Sequence, residues 1–296
     1  MIEKNITKNQ HYVPQVYLRG FSPDQKRVWS YALDPMDSGK LVPIESVCRE
    51  KYLYEVWDDD GNLLGPNWLE NVLCSLEGLF AKNLRALEKK AFHRENYWTK
   101  CFFTTEEKAF WKAYIAIQMM RRPDVIQATH DVVCEFLGDQ FSENRIHAAA
   151  LAQCLPFFNE IKPEDISALS IVLRPLLNMS IVMGVDESGT LFTSDSPVYC
   201  YSPNRNNLAE LEEYETVMLP LTSKLVIVLH GKELAKQHGN NRLLPIGKDD
   251  LESIKLPIAY SAHRRIFSQE ALSEKDRKII EQARRDKKED EKTQRG

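Results

Sequence analysis

The stretch His11-Tyr12-Val13-Pro14-Gln15-Val16-Tyr17-Leu18-Arg19-Gly20-Phe21 stands near the start of a 296-residue chain, where sequences are normally frayed and polar. Here Val13, Val16, Leu18 and Phe21 are interleaved with His11, Gln15 and Arg19. Apolar anchors at that density predict a segment that docks into the body of the protein and brings an imidazole, an amide and a guanidinium with it. Those groups are expected to meet others from far along the chain.

The segments that follow are extended. Val28 to Leu33 and Leu41 to Ile44 read as strands, and Lys51 to Val56 with the turn at Asp60-Gly61 reads as a hairpin. Pro66 suits the first turn of a long helix to about Ala91, because Leu69, Val72, Leu73, Leu76, Phe80, Leu84 and Leu87 recur at helical spacing. Thr104 and Glu107 make a capping box for a second helix, closed by Pro123. Its apolar residues run nearly all round, as in a helix at the centre of a bundle. Helical patterning continues to about Leu155 with a break near Gly138, and another helix starts at Pro163-Glu164-Asp165 and ends near Leu177.

The periodicity then returns to strands. Ser180–Val185 and Thr190–Thr193 read as a hairpin, followed by extended Val198–Tyr201, Glu215–Leu219, Leu225–Leu229 and Arg265–Phe267, with a helix at Lys248–Ile254. Strands gather at both chain ends and do not alternate with helices. The expected class is therefore α+β, a central helical layer packed on a mixed or antiparallel sheet built from N- and C-terminal strands. Residues 1–272 read as a single domain. Residues 273–296, with nine Lys or Arg against seven Asp or Glu, read as a helix dissolving into a charged, flexible C-terminal tail.

Composition narrows the function classes. A net charge of -4 offers nucleic acid no global attraction, so nucleic acid or a nucleotide would need a local basic patch. The six cysteines are dispersed, with no Cys-x-x-Cys pair, and read as reduced thiols. No apolar run suits a membrane span, and a cytoplasmic protein is expected. Neither a repeat nor a Gly-rich phosphate loop is present.

Several polar residues stand out against this background. Glu70 and Glu77, seven apart on one helix, project within roughly 20° of each other at the edge of its apolar face. Gln118 and Arg121 share a face of the second helix with Tyr114 nearly in line, and Arg121 suits a carboxylate or a phosphate. Asp195 sits in an extended turn before Pro197. Each has a plain alternative: exposed glutamates on an amphipathic helix, an arginine balancing a helix dipole, an Asx turn, and a hydrogen-bonded structural His11.

The opening motif His-Tyr-Val-Pro-Gln-x-Tyr-Leu-Arg-x-Phe resembles the signature of a mostly bacterial domain-of-unknown-function family, number 4238. The resemblance extends in order through Glu70 and Glu77, Gln118-x-x-Arg121 with Pro123, and Ser194-Asp195-x-Pro197, over residues 10 to 268. It implies which residues matter and carries no activity. Joined together, they suggest a composite site: His11, Glu70, Glu77 and Asp195 catalytic, and Gln15, Arg19, Gln118 and Arg121 on the substrate. Glu70, Glu77 and Asp195 are the hard oxygen ligands for Mg²⁺ or Mn²⁺ in this scheme. The expected function is a metal-dependent phosphodiester or nucleotide hydrolase, such as a nuclease. The alternative is a non-enzymatic module in which the same residues form a structural network or a pocket for a small anion.

Overall fold

The computed structural model describes residues 6–155, 167–201 and 215–295. The chain begins with β1 (Asn9–His11), a single turn α1 (Gln15–Leu18), β2 (Arg27–Ala32), β3 (Lys40–Pro43) and β4 (Arg49–Lys51). Five helices follow: α2 (Trp68–Ala91), α3 (Thr105–Met120), α4 (Pro123–Leu137), α5 (Glu143–Cys154) and α6 (Ala168–Asn178). Next come β5 (Ser180–Val185), β6 (Thr193–Ser194), β7 (Tyr199–Tyr201), β8 (Thr216–Pro220), β9 (Leu225–His230) and α7 (Lys232–His238). The described chain ends with β10 (Arg242–Pro245), α8 (Leu251–Ser261), β11 (Arg265–Ser268) and α9 (Glu274–Arg295).

The fold is α+β, with strands in three sheets. A five-stranded sheet, β10-β5-β9-β8-β7, is antiparallel except for the parallel pair β10 and β5. A four-stranded sheet, β3-β2-β11-β6, joins the two ends of the chain, and β1 pairs with β4. The expectation of one shared sheet thus holds for β2, β3, β6 and β11 only. The second half of the chain builds a larger sheet of its own.

α3 is the axis of the helical layer. Both halves of its capping box form, and Trp111, Tyr114, Ile115, Ala116, Ile117 and Met120 are all buried. Lys112 enters this core from α3 and donates to Leu177 O at 2.8 Å and Met179 O at 2.6 Å, closing the C-terminus of α6. Burial lowers the pKa of that ammonium to about 8. The N-terminal segment completes the main core, with Val13, Tyr17, Leu18 and Phe21 fully buried beside Phe80 and Trp111. Gly20 permits this docking, since a Cβ there would stand 2.6 Å from Leu221 O.

Several expectations need correction. The hairpin at Asp60-Gly61 is reduced to an Asp58 turn and a single bridge between Trp57 and Leu63, while Tyr52–Tyr54 form a turn. Side-chain bonds from Asp58 to the Asp60 and Asn62 amides replace a longer ladder there. Ser180–Val185 and Thr190–Thr193 do not pair: β5 joins β9 and β10, and β6 joins β11. α2 opens at Trp68 after Asn67 in the left-handed region, φ 59°. The start foreseen at Pro163 for the helix ending near Leu177 lies outside the described residues. α7 and β10 were not foreseen.

The charged tail is helical. α9 packs on α8, burying Ile279, Ile280 and Ala283, and Arg277 reaches Asp37 O at 3.1 Å. The charge run hid an apolar stripe one turn wide. Among the described residues no helix is long and apolar enough to cross a membrane.

Candidate functional site

The motif at residues 11–21 is anchored by its own polar groups. Tyr17 OH donates to Pro220 O at 2.6 Å and lies 2.7 Å from Thr193 Oγ1. Gln10 Nε2 donates to Glu55 Oε1 at 2.8 Å, and Gln10 Oε1 accepts from Tyr54 N at 2.7 Å. These bonds fix β1 against the start of α2, so that main-chain atoms of His11 face the end of α3.

There Arg121, only 1% exposed, caps α3. Its Nη2 donates to His11 O at 2.5 Å and its Nε to Tyr54 OH at 3.2 Å, while Tyr54 OH donates to Arg121 O at 3.1 Å. Its Nη1 lies 3.4 Å from Glu77 Oε1, a long ion pair whose carboxylate is 23% exposed. Burial opposes the guanidinium charge, but Tyr54, Glu77 and Tyr114 outweigh it, and Arg121 stays cationic. Burial raises the pKa of Glu77 against the pull of Arg121 and Arg19.

Glu70, two turns earlier on α2, completes the cluster. Burial raises its pKa from 4.5 to about 7; Arg121 opposes the rise, and Glu77 and Glu55 add to it. Its Oε2 is buried without a partner among the described residues, as are Tyr114 OH and both amide atoms of Gln118. Buried polar atoms are nearly always bonded, so the unpartnered Glu70 Oε2 and Tyr114 OH, both in the field of Arg121, mark a place where a ligand or water completes the bonding. Arg19 is exposed, and Gln15 is half-buried at the start of α1.

Asp195 belongs elsewhere. Its Oδ1 accepts from His263 N at 2.9 Å and its Oδ2 from Arg264 N at 2.8 Å, so the carboxylate closes the turn between α8 and β11. It lines a cleft of about 320 Å³ with Tyr12, Lys40, Ser46, Cys48, Arg264 and Arg265. The Cys48 thiol, buried there, is pushed up by burial and by Asp195. His11 points toward neither group of carboxylates: its Nε2 donates to Glu45 O at 3.2 Å, and burial lowers its pKa.

The composite site of the sequence reading therefore divides. Glu70, Glu77 and Arg121 gather between α2 and the end of α3, joined by the main chain of His11, with Gln118 buried one turn earlier on α3, while Asp195 sits in the cleft. The ligand set of Glu70, Glu77 and Asp195 is not formed, and among the described residues no three His, Cys, Asp or Glu side chains could hold a metal ion together. Main-chain donors took the carboxylate expected to complete it.

Tyr54, Tyr12, Lys40, Arg264 and Arg265 were missed. The Arg264-Arg265 doublet at the mouth of a strand and Lys40 at the start of β3 were visible signals for the cleft. Nothing local to Tyr54 marks it.

An α+β protein with a guanidinium cluster between helices and a basic cleft beside it is the class these observations define. The family model described as "Protein of unknown function (DUF4238)" matches residues 9–271, and the chain belongs to that family. No curated protein and no solved structure matches the chain.

Proposed function

We propose that the protein is a hydrolase of phosphodiesters or nucleotides whose proton-transfer group is Glu70. The observation that supports this reading is the buried, unpartnered Oε2 on a carboxyl group that titrates at about 7. Arg121 pairs with Glu77, and the fields of Glu77 and Glu55 favour a proton on Glu70. An acid that titrates near neutral pH is suited to give and take protons there.

In such a reaction Glu70 protonates the leaving oxygen as its P–O bond breaks. Water forms the new P–O bond, and the proton it sheds returns to Glu70. Arg19, exposed and acting on Glu77, is the cation that can meet the substrate phosphate, because Arg121 is committed to Glu77, Tyr54 and His11. Gln118 and Tyr114 supply unused donors and acceptors on the α3 face shared with Arg121.

A screen of phosphodiesters and nucleotides, with and without Mg²⁺ or Mn²⁺, tests the reading. The expected result is turnover of at least one substrate, a pH profile that bends at about 7, and a loss of about 10²–10⁴-fold in Glu70→Gln. No turnover by the natural protein, or full activity in Glu70→Gln, overturns it.

A second reading is favoured by Arg121 itself, which is buried and bonded to main chain and Tyr54. In that reading the cluster pins β1 to α3 and has no chemistry to perform. It requires Glu70→Gln to change stability without changing any activity.

A further inference from the structure

The register of β2 decides what stands on each face of the four-stranded sheet. Ser30 is opposite Lys40, Val28 opposite Val42 and Ala32 opposite Arg265. Successive side chains alternate, so Ser30, Lys40, Val42 and Arg265 share one face. On the other face Tyr31, Ile266 and Phe192 are sealed under α8 and α9. The first face runs from apolar Val28 and Phe267, which join the main core, to two cations at its open end. Tyr12 and Cys48, beside the β1–β4 pair, and the turn of Asp195 and Arg264 wall off that end.

The geometry points to a binding site for a phosphate dianion in this cleft, held by Lys40, Arg264 and Arg265 with Tyr12 beside them. It is independent of the Glu70 reading and stands whether or not Glu70 turns a substrate over.

Charge is the first argument. Three cations against Asp195 leave the lining at +2 in a chain of net charge -4. Asp195 spends both oxygens on main-chain amides, and no ion pair engages any of the three cations among the described residues. Other cations have carboxylate partners: Arg122 pairs with Asp124, and Arg284 and Lys288 share Asp34. Arg265 is aimed by a neutral partner, Ser30 Oγ, at 3.0 Å.

Shape and chemistry narrow the ligand. Two planar guanidinium forks and one ammonium suit the several oxygens of a phosphate better than a single carboxylate. A phosphomonoester carries about -1.5 to -2 at neutral pH, matching the lining. At about 320 Å³ the cleft lies at the small end of ligand pockets, which suits free phosphate or a small phosphate ester and not a macromolecule.

Calorimetric titration and ³¹P line broadening at fixed ionic strength, using inorganic phosphate, adenosine monophosphate and adenosine, test the site. Phosphate and its ester are expected to bind and adenosine is not. Kd is expected to rise at least about tenfold in Arg265→Gln and about threefold or more in Lys40→Gln. A tighter ester identifies an esterified ligand, and a tighter inorganic phosphate identifies the free anion. Should Arg265→Gln fail to fold, Lys40→Gln decides, because exposed Lys40 can be replaced with the melting temperature unchanged. Absence of binding, binding unchanged in Lys40→Gln, or equal stabilisation by sodium chloride and phosphate overturns the proposal.

Discussion

His11, the last residue of β1, and Tyr12 after it serve two polar assemblies of opposite kinds. The carbonyl of His11 accepts from Arg121 inside the helical layer, and the side chain of Tyr12 lines the open cleft beside Arg265. In the sealed assembly the guanidinium is bonded to protein, and the excess carboxyl is neutralised by its own raised pKa. In the open one, Lys40 and Arg264 are exposed and, among the described residues, have no ion-pair partner. The difference follows from solvent: a buried charge must find its partner within the fold, whereas a cation in contact with water can wait for an external one.

The largest expected effect falls on the sealed side. Arg121→Met leaves His11 O, Tyr54 and Glu77 without their donor, and is expected to cost about 3–5 kcal/mol by urea denaturation at neutral pH. A loss under about 1 kcal/mol would place Arg121 with the open, screened cations and erase the contrast. Asp195→Asn comes next. Its amide can accept from only one of the His263 and Arg264 amides, so a loss of about 1–3 kcal/mol is expected in the same measurement; unchanged stability would release Asp195 for another role.

The third effect is a slope. Glu70 binds its proton more tightly in the folded state, so its stabilisation is complete below the ordinary value of 4.5 and is lost as pH rises through about 7. Between those values the natural protein is expected to lose stability relative to Glu70→Gln, with chemical denaturation across the range as the measurement. Parallel curves would show that Glu70 is solvated like any surface carboxylate. The smallest effect belongs to the cleft: Lys40→Gln, free of partners, should stay within about 0.5 kcal/mol of the natural protein.

What the sequence revealed tracks the range of the interaction responsible. α2 and α3 were legible because their helical periodicity and the Thr104–Glu107 box are local, as was the docking of residues 11–21. Arg121 meets Glu77 and acts on Glu70 because the two carboxyl groups lie on one face of α2. The pairing of β6 with β11, and not with its neighbour β5, is a choice among distant edges that no local pattern encodes. Asp195 was assigned to the wrong cluster for the same reason: its partners are amides 68 and 69 residues away. The helical start of α9 was legible, but its length and packing were not, because three apolar residues in a run of charges suffice to bury one stripe.

The bond from Arg265 to Ser30 spans 235 residues of sequence. At a synthesis rate of about 5–20 residues per second, β2 is made about 10–50 s before β11 exists to pair with it. Throughout that interval β2 and β3 are at most a two-stranded ribbon, marginal in water and with a bare edge open to other chains. Amide protection of β2 is therefore expected to trail the release of Ser268 from the ribosome, and early protection would show that another segment shields the edge. A sheet closed by its two ends thus leaves β2 and β3 with an uncovered edge for most of the chain's synthesis.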